Sequence, residues 1–276
     1  MSDFASSEAN LGTAPPRADS RSRSIVAARA VFLAAILGIW QAAAAAGIVD
    51  PAFVSTPVSV ALSLWLLLRS GELLANLGTS LLEILIAFAL SVVFGIASAI
   101  VLDRNDWFNR IVSPFLTAFN SMPRIALGPL FILWFGIGIA SKVVLAFSLG
   151  YFIMLLSTLG GLKNVDRDLL LMSRLFGASE FGLFRHVRLP WALPGIFAGL
   201  KLTLIYCSAG AVIGEMIAAR SGLGLLVQTF SGRFDIAGVM AVILVVALMV
   251  MVLTSLMDFT ERRLLEWSKG STDVPG

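Results

Sequence analysis

Six long apolar runs dominate this chain, and each is long enough to cross a lipid bilayer as a helix. A crossing needs about 20 mostly apolar residues, because the hydrocarbon core is about 30 Å thick and a helix rises about 1.5 Å per residue. Only 13% of the residues are charged, against about 25% in a soluble domain. The predicted fold is therefore an all-α membrane protein with six transmembrane helices, at about 25–47, 79–102, 114–137, 141–162, 194–217 and 236–258.

The remaining segments complete the predicted organisation. Residues 1–24 are polar and lack hydrophobic periodicity, which is typical of a disordered tail. Residues 25–267 form the predicted transmembrane domain, and 268–276 form a second tail. The Ala-rich end of the first run resembles a signal-peptide cleavage site, but its length and the preceding tail favour a retained span. A shorter apolar stretch from Thr56 to Ser70 predicts a helix lying at the membrane surface.

The distribution of Lys and Arg predicts the orientation of the spans. If the N-terminus is cytoplasmic, the inner segments hold fourteen basic residues and the outer segments hold four. Such an excess on the inside is typical of membrane proteins. Both termini are therefore predicted to be cytoplasmic, together with the long basic loop 163–193.

This loop carries the signals of two short helices. Asp166 and Ser179 are predicted to cap one helix each, and Gly177 is predicted to adopt the left-handed conformation between them. Pro190 is predicted to end the second helix. Its apolar face would consist of Phe181, Leu183, Phe184 and Val187. Such a face suits either a loop lying on anionic lipid headgroups or a docking surface for a cytoplasmic partner.

Three motifs resemble those of one transporter family. LFGASEFGLFRHVRLPWALPG, 175–195, resembles the EAA loop of the membrane subunits of bacterial ABC importers, with Gly177 on its glycine and Leu189-Pro190 on its Leu-Pro. NSMPRIALGPLFILWFGIG, 120–138, and GEMIAARSGLGLLV, 214–227, resemble signatures of the nitrate/sulfonate/taurine branch of the binding-protein-dependent transport inner membrane component family. The sequence departs from the pattern at Leu171-Met172-Ser173, where Glu-Ala-Ala is expected.

The resemblance implies an ABC type I importer-like arrangement and a permease subunit that is not itself an enzyme. The implied partners are a cytoplasmic ATPase dimer, a second permease copy in a homodimer, a periplasmic substrate-binding protein and the lipid bilayer of the bacterial inner membrane, with no nucleic acid. ATP and magnesium would bind to the ATPase, since this sequence has no GxxxxGK[ST] phosphate-binding loop. The implied solute is a small anion or compact organic molecule, such as nitrate, a sulfonate, taurine or a pyrimidine precursor. The residues implied to couple to the ATPase are Leu175, Gly177, Ala178, Ser179, Phe181, Phe184, Val187, Leu189 and Pro190.

Charged residues inside the predicted spans are candidate path or gate residues, because a charge within the bilayer is costly. Arg124 follows Pro123, which locally breaks a helix, and is predicted to face the path and attract an anion. It can instead pair with Glu83 or reach the lipid headgroups. Glu215 is predicted either to gate the outer mouth or to cap interfacial contacts, and Lys201 to extend to the cytoplasmic interface.

Two other classes of function remain open from the residues alone. An ion-gradient-driven secondary transporter often contains inverted repeats, but no clear repeat relates residues 25–137 to 141–258. A membrane-embedded enzyme needs a cluster of catalytic groups, and the sequence has one cysteine, Cys207, and one histidine, His186. One cysteine and one histidine are too few for the three or four protein ligands of a typical zinc site, so no metal site is predicted.

Overall fold

The computed structural model describes residues 18–47 and 51–264, and within them every regular element is helical. The chain divides into two compact units, Met1–Ser59 and Val60–Gly276. Helix α1 (Ala18–Ala45) and the single turn α2 (Pro51–Val54) belong to the first unit. Residues 18–24 were predicted to be disordered, but they form the first turns of α1. Residues 1–17 and the predicted tail 268–276 lie outside the described residues.

Helix α3 (Pro57–Ser70) confirms the predicted short helix, and nine further α-helices follow it in the described chain. A 3-10 turn, Arg124–Leu127, precedes α6, and a π-helical turn, Phe184–Arg188, joins α9 to α10. The helices after α3 are α4 (Glu72–Arg104), α5 (Asp106–Ser121), α6 (Gly128–Phe135), α7 (Ile139–Lys163), α8 (Arg167–Leu175), α9 (Glu180–Leu183), α10 (Leu189–Ile217), α11 (Leu223–Gly232) and α12 (Ile236–Leu264).

Five helical runs in the described residues are long and apolar enough to cross a membrane. They are part of α1 (Ala27–Ala45), α4, α7, the run Glu180–Ile217 and α12. A sixth crossing exists if α5 and Arg124–Phe135 are counted as one span, although their axes differ by 79°. The sequence predicted a span over 114–137 whose helix Pro123 locally breaks. The chain does break at Met122 and Pro123, where both residues leave the helical conformation and Pro123 has no N–H to donate.

The start of α10 also differs from the prediction. Pro190 was predicted to end the preceding helix, but it lies in the first turn of α10. Proline is well tolerated there, because the first N–H groups of a helix have no partner within it. The helical run therefore continues from Glu180 through both Pro190 and Pro194 to Ile217.

Helix α7 packs along both α4 and α10 and forms the centre of the second unit. Glycines permit these close contacts. A Cβ at Gly95 of α4 would lie 2.7 Å from Cβ of Met154, and one at Gly199 of α10 would lie 2.5 Å from Cβ of Ser157. Small residues of this kind allow helix backbones to approach closely in membranes. The resulting three-helix core holds the charged residues described next.

Candidate functional site

The α8–α9 segment, residues 166–190, has the local structure that its capping residues predict. Oδ1 of Asp166 accepts a hydrogen bond from the N–H of Asp168 at 2.8 Å, and Oγ of Ser179 accepts one from the N–H of Gly182 at 3.1 Å. Gly177 lies between the two helices with φ +82°, in the left-handed region. Both predicted caps and the predicted glycine turn are confirmed.

The apolar surface of this segment differs from the predicted one. Leu183 is buried, and Phe184 and Val187 are half-buried, because the π-helical turn leads this face into the core against α10. The exposed surface lies instead on both sides of the glycine turn. It consists of Leu175, Phe176 and Phe181, which are 86%, 85% and 65% exposed. We call these three residues the apolar tip. Phe176 was absent from the predicted coupling residues. Its position directly before the predicted glycine turn was the sequence signal that could have included it.

An ion pair fastens the segment to the end of α4. Arg188 donates to Oδ1 of Asp103 at 2.9 Å through Nη2 and lies 2.8 Å from Oδ2 through Nη1. The side chain of Asp103 is 1% exposed. A second pair, between Arg174 and Glu180 at 3.0 Å, joins α8 to α9 on the surface. The first contact has no local sequence signal, since it joins residues 85 positions apart in the chain.

A second group of functional candidates lies buried where α4, α7 and α10 meet. Glu83 pairs with Lys142, whose Nζ is 3.5 Å from Oε1 of the carboxylate. Glu83 and Glu215 are fully buried, and Lys142 is nearly so. We call Glu83, Lys142 and Glu215 the charged cluster. Glu215 is thus buried in this structure, and its role as a gate of the outer mouth stays a prediction. The predicted alternative of a Glu83–Arg124 pair is wrong, because Glu83 pairs with Lys142.

The charged cluster contacts the N-terminus of α11. The N–H of Gly224 donates to Oε2 of Glu215 at 2.6 Å, and Oγ of Ser80 donates to Oε1 at 2.6 Å. Ser80 in turn accepts from the N–H of Leu223 at 2.8 Å, and Asn76 accepts from the N–H of Gly222 at 2.7 Å. Three successive N–H groups that the helix itself leaves unpaired are thus satisfied by α4 and α10.

Arg124 lies at the break between α5 and α6 and is held by its neighbours. Its Nη1 donates to the carbonyl of Ser148 at 3.1 Å, and its Nη2 donates to the carbonyl of Asn120 at 3.0 Å and to Oδ1 of Asn120 at 2.5 Å. The guanidinium also lies 4.3 Å from the ring centre of Phe152. These contacts tie α5 to α7. Attraction of an anion by Arg124 stays a prediction.

Lys201 forms ion pairs with Asp258 and Glu261 of α12. Lys201 was predicted to extend to the cytoplasmic interface. In the structure its ammonium group pairs with these two carboxylates, and the ion pairs link α10 to α12. Within the described residues, no group of three His, Cys, Asp or Glu side chains is arranged to hold a metal ion.

A family model decides the class of this protein. The model of the inner membrane component of binding-protein-dependent transport systems matches residues 91–266. The chain belongs to this family. The matched range contains the α8–α9 segment, α11 and Glu215, and it identifies the chain as a permease subunit of an ABC importer and not as an enzyme.

Curated relatives of this permease cover most of both chains. The riboflavin transport system permease protein RibX of Chloroflexus aurantiacus is 32% identical, covering 86% of this chain and 88% of its own. The formylaminopyrimidine transport permease protein ThiX of Halalkalibacterium halodurans is 31% identical, with 87% and 95% covered. The putative aliphatic sulfonates transport permease protein SsuC of Escherichia coli is 31% identical, with 84% and 89% covered.

A solved structure shares the fold of the permease. It is an inward-facing form of the MetNI methionine ABC transporter, with a TM-score of 0.60 and 22% sequence identity, covering 73% of this chain and 95% of that chain. The predicted ABC type I importer-like helical arrangement is confirmed. The alternative of an ion-gradient-driven secondary transporter receives no support from these comparisons.

Proposed function

We propose that this permease works in an ATP-driven importer and binds a separate cytoplasmic ATPase dimer through the apolar tip. The observation that supports this is the exposure of Leu175, Phe176 and Phe181 around the glycine turn. Large apolar side chains that stand together in water favour burial against a partner, at about 25 cal/mol per Å² removed from water. ATP and magnesium are held by the ATPase.

The missing Glu-Ala-Ala changes the chemistry of this contact. Leu171 and Met172 are 58% and 56% exposed and extend the apolar tip along α8. The nearest glutamate, Glu180, already pairs with Arg174 inside the segment. We therefore expect the ATPase groove that receives this segment to be mainly apolar and to need no ion pair at position 171.

The solute is proposed to be a small anion or a compact organic molecule, delivered by a periplasmic binding protein to a path between two permease copies. The relatives named for aliphatic sulfonates, formylaminopyrimidine and riboflavin support compact, polar solutes of this range. The test is to identify the binding protein that serves this permease, purify it and measure which ligands raise its melting temperature. No shift with any sulfonate, nitrate, pyrimidine or flavin contradicts the proposed solute class.

Single-cysteine cross-linking tests the docking surface. The only native cysteine, Cys207, is fully buried, so Phe181→Cys provides one accessible thiol. We expect a short bifunctional reagent to link this thiol to the ATPase in the assembled complex. The matched control is Phe234→Cys on the α11–α12 turn, because Phe234 is 86% exposed but lies at the opposite end of the long helices.

The alternative is that the α8–α9 segment lies on lipid headgroups. In that case a lipid-attached quencher dims a fluorophore on Phe181→Cys in the assembled complex, and no cross-link to the ATPase forms. Equal cross-linking from Phe181→Cys and Phe234→Cys also contradicts the proposal.

A further inference from the structure

The charged cluster contains two acidic residues and one basic residue, so its charges do not balance if all three are ionised. Glu83 and Glu215 have no exposed surface and Lys142 is 4% exposed. With both carboxyl groups ionised, two negative charges would face one positive charge. An unbalanced charge inside a protein, and above all inside a membrane, is costly. Among the residues that the structure describes, these three are the ionisable groups that face one another here, and α11 contributes backbone N–H groups but no ionisable side chain.

The hydrogen bonds distinguish the two carboxyl groups. Glu215 accepts from the hydroxyl of Ser80 with one oxygen and from the N–H of Gly224 with the other. In the described part of the chain, neither oxygen of Glu83 accepts a hydrogen bond, and its contact with Lys142 is a 3.5 Å ion pair. Ser80, which binds Glu215, lies one turn before Glu83 on α4, and the two carboxyl groups interact electrostatically. A proton on Glu83 would let one of its oxygens donate a hydrogen bond.

We infer that Glu83 is protonated and donates a hydrogen bond to Glu215, so that the charged cluster is neutral and holds the N-terminus of α11. Glu215 then remains an anion opposite Lys142. An anion also suits the first turn of α11, where unpaired N–H groups and the helix dipole favour negative charge. Glu83 thus acts as a positioning residue. It keeps Glu215 in the charged state, which makes both of its oxygens stronger acceptors for the hydroxyl of Ser80 and the N–H of Gly224.

Infrared spectroscopy of the purified full-length permease in lipid nanodiscs tests the proton directly. At neutral pH the wild type is expected to show the C=O stretching band of a protonated carboxyl group, and this band shifts only slowly in D2O because the group is buried. Glu83→Gln is expected to lose the band. The control Glu72→Gln, which changes an exposed glutamate of the same helix, is expected to keep it. A wild type without the band, or an unchanged band in Glu83→Gln, overturns the inference.

A second measurement distinguishes a hydrogen bond donated by residue 83 from simple packing of its side chain. The amide of Glu83→Gln still donates to Glu215 and still turns its oxygen towards Lys142, so its melting temperature is expected to stay near that of the wild type. Glu83→Ala removes both contacts, and we expect a lower melting temperature and faster hydrogen exchange at Leu223 and Gly224. A Glu83→Gln variant that is as unstable as Glu83→Ala overturns the inference. Both measurements use the permease without a partner, so their outcome does not depend on the proposed ATPase contact.

Discussion

One side chain, Glu215, lies at the point where α11 approaches α10 most closely in the contacts described. Its carboxylate occupies the space beside two glycines at the start of α11. A Cβ at Gly222 would overlap the carboxyl group of Glu215, and a Cβ at Gly224 would overlap the carbonyl of Val212. The glycines of this stretch therefore allow the backbone of α11 to approach α10 closely. Glu215 accepts a hydrogen bond from the backbone N–H of Gly224.

Substitution of Gly222 is the most direct test of this arrangement. Gly222 has φ +125°, where a residue with a Cβ is strained by about 1–3 kcal/mol. We expect Gly222→Ala to lower the melting temperature of the purified permease by at least several degrees, since about 1 kcal/mol corresponds to about 2–4 °C in a chain of this size.

The control is Gly78→Ala in α4, where a Cβ meets nothing within 4 Å. This change is expected to leave stability unchanged or to raise it by up to about 1 kcal/mol, because alanine favours a helix more than glycine does. Equal melting temperatures of the two variants would contradict the close packing at Gly222.

At the scale of elements, the C-terminal end of the α8–α9 segment is connected to the spans in two ways. The chain runs directly through the π-helical turn into α10, and the pair of Arg188 with Asp103 fixes that turn to the end of α4. A movement of the apolar tip therefore acts on α4 and α10 together.

Removal of Arg188 should loosen this connection. Arg188→Met leaves the buried carboxylate of Asp103 without a partner, and loss of one member of a buried pair costs about 3–5 kcal/mol. We expect a clear fall in melting temperature, which Asp103→Leu in the same chain partly restores. The control Arg185→Met changes an exposed neighbour and should have little effect. Similar losses from Arg185→Met and Arg188→Met would refute the role of the pair.

The elements that the sequence predicts well are those with local causes. Asp166, Ser179 and Gly177 act on backbone groups within a few residues, so their caps and turn are readable from the chain. The wrong end at Pro190 arose because proline suits both the end of one helix and the first turn of the next. Glu83 and Lys142 come from different helices, and only the packing of α4 on α7 brings them together.

At the scale of the whole molecule, the distribution of basic residues predicts which ends of the helices face the cytoplasm. Fourteen basic residues on one side against four on the other favour a cytoplasmic α8–α9 segment. In intact cells, a membrane-impermeant maleimide is expected to label Phe234→Cys and to leave Phe181→Cys unlabelled until the membrane is permeabilised. The opposite pattern of labelling would reverse the proposed topology.

The continuous run Glu180–Ile217 has a mechanical consequence. Its 38 residues correspond to a rod of about 57 Å at about 1.5 Å per residue. Phe181 lies near one end of this rod and Glu215 near the other. A tilt of the apolar tip would therefore be carried along one helical run towards the anchor of α11 at its other end. The π-helical turn and the two prolines are the places where this run can bend.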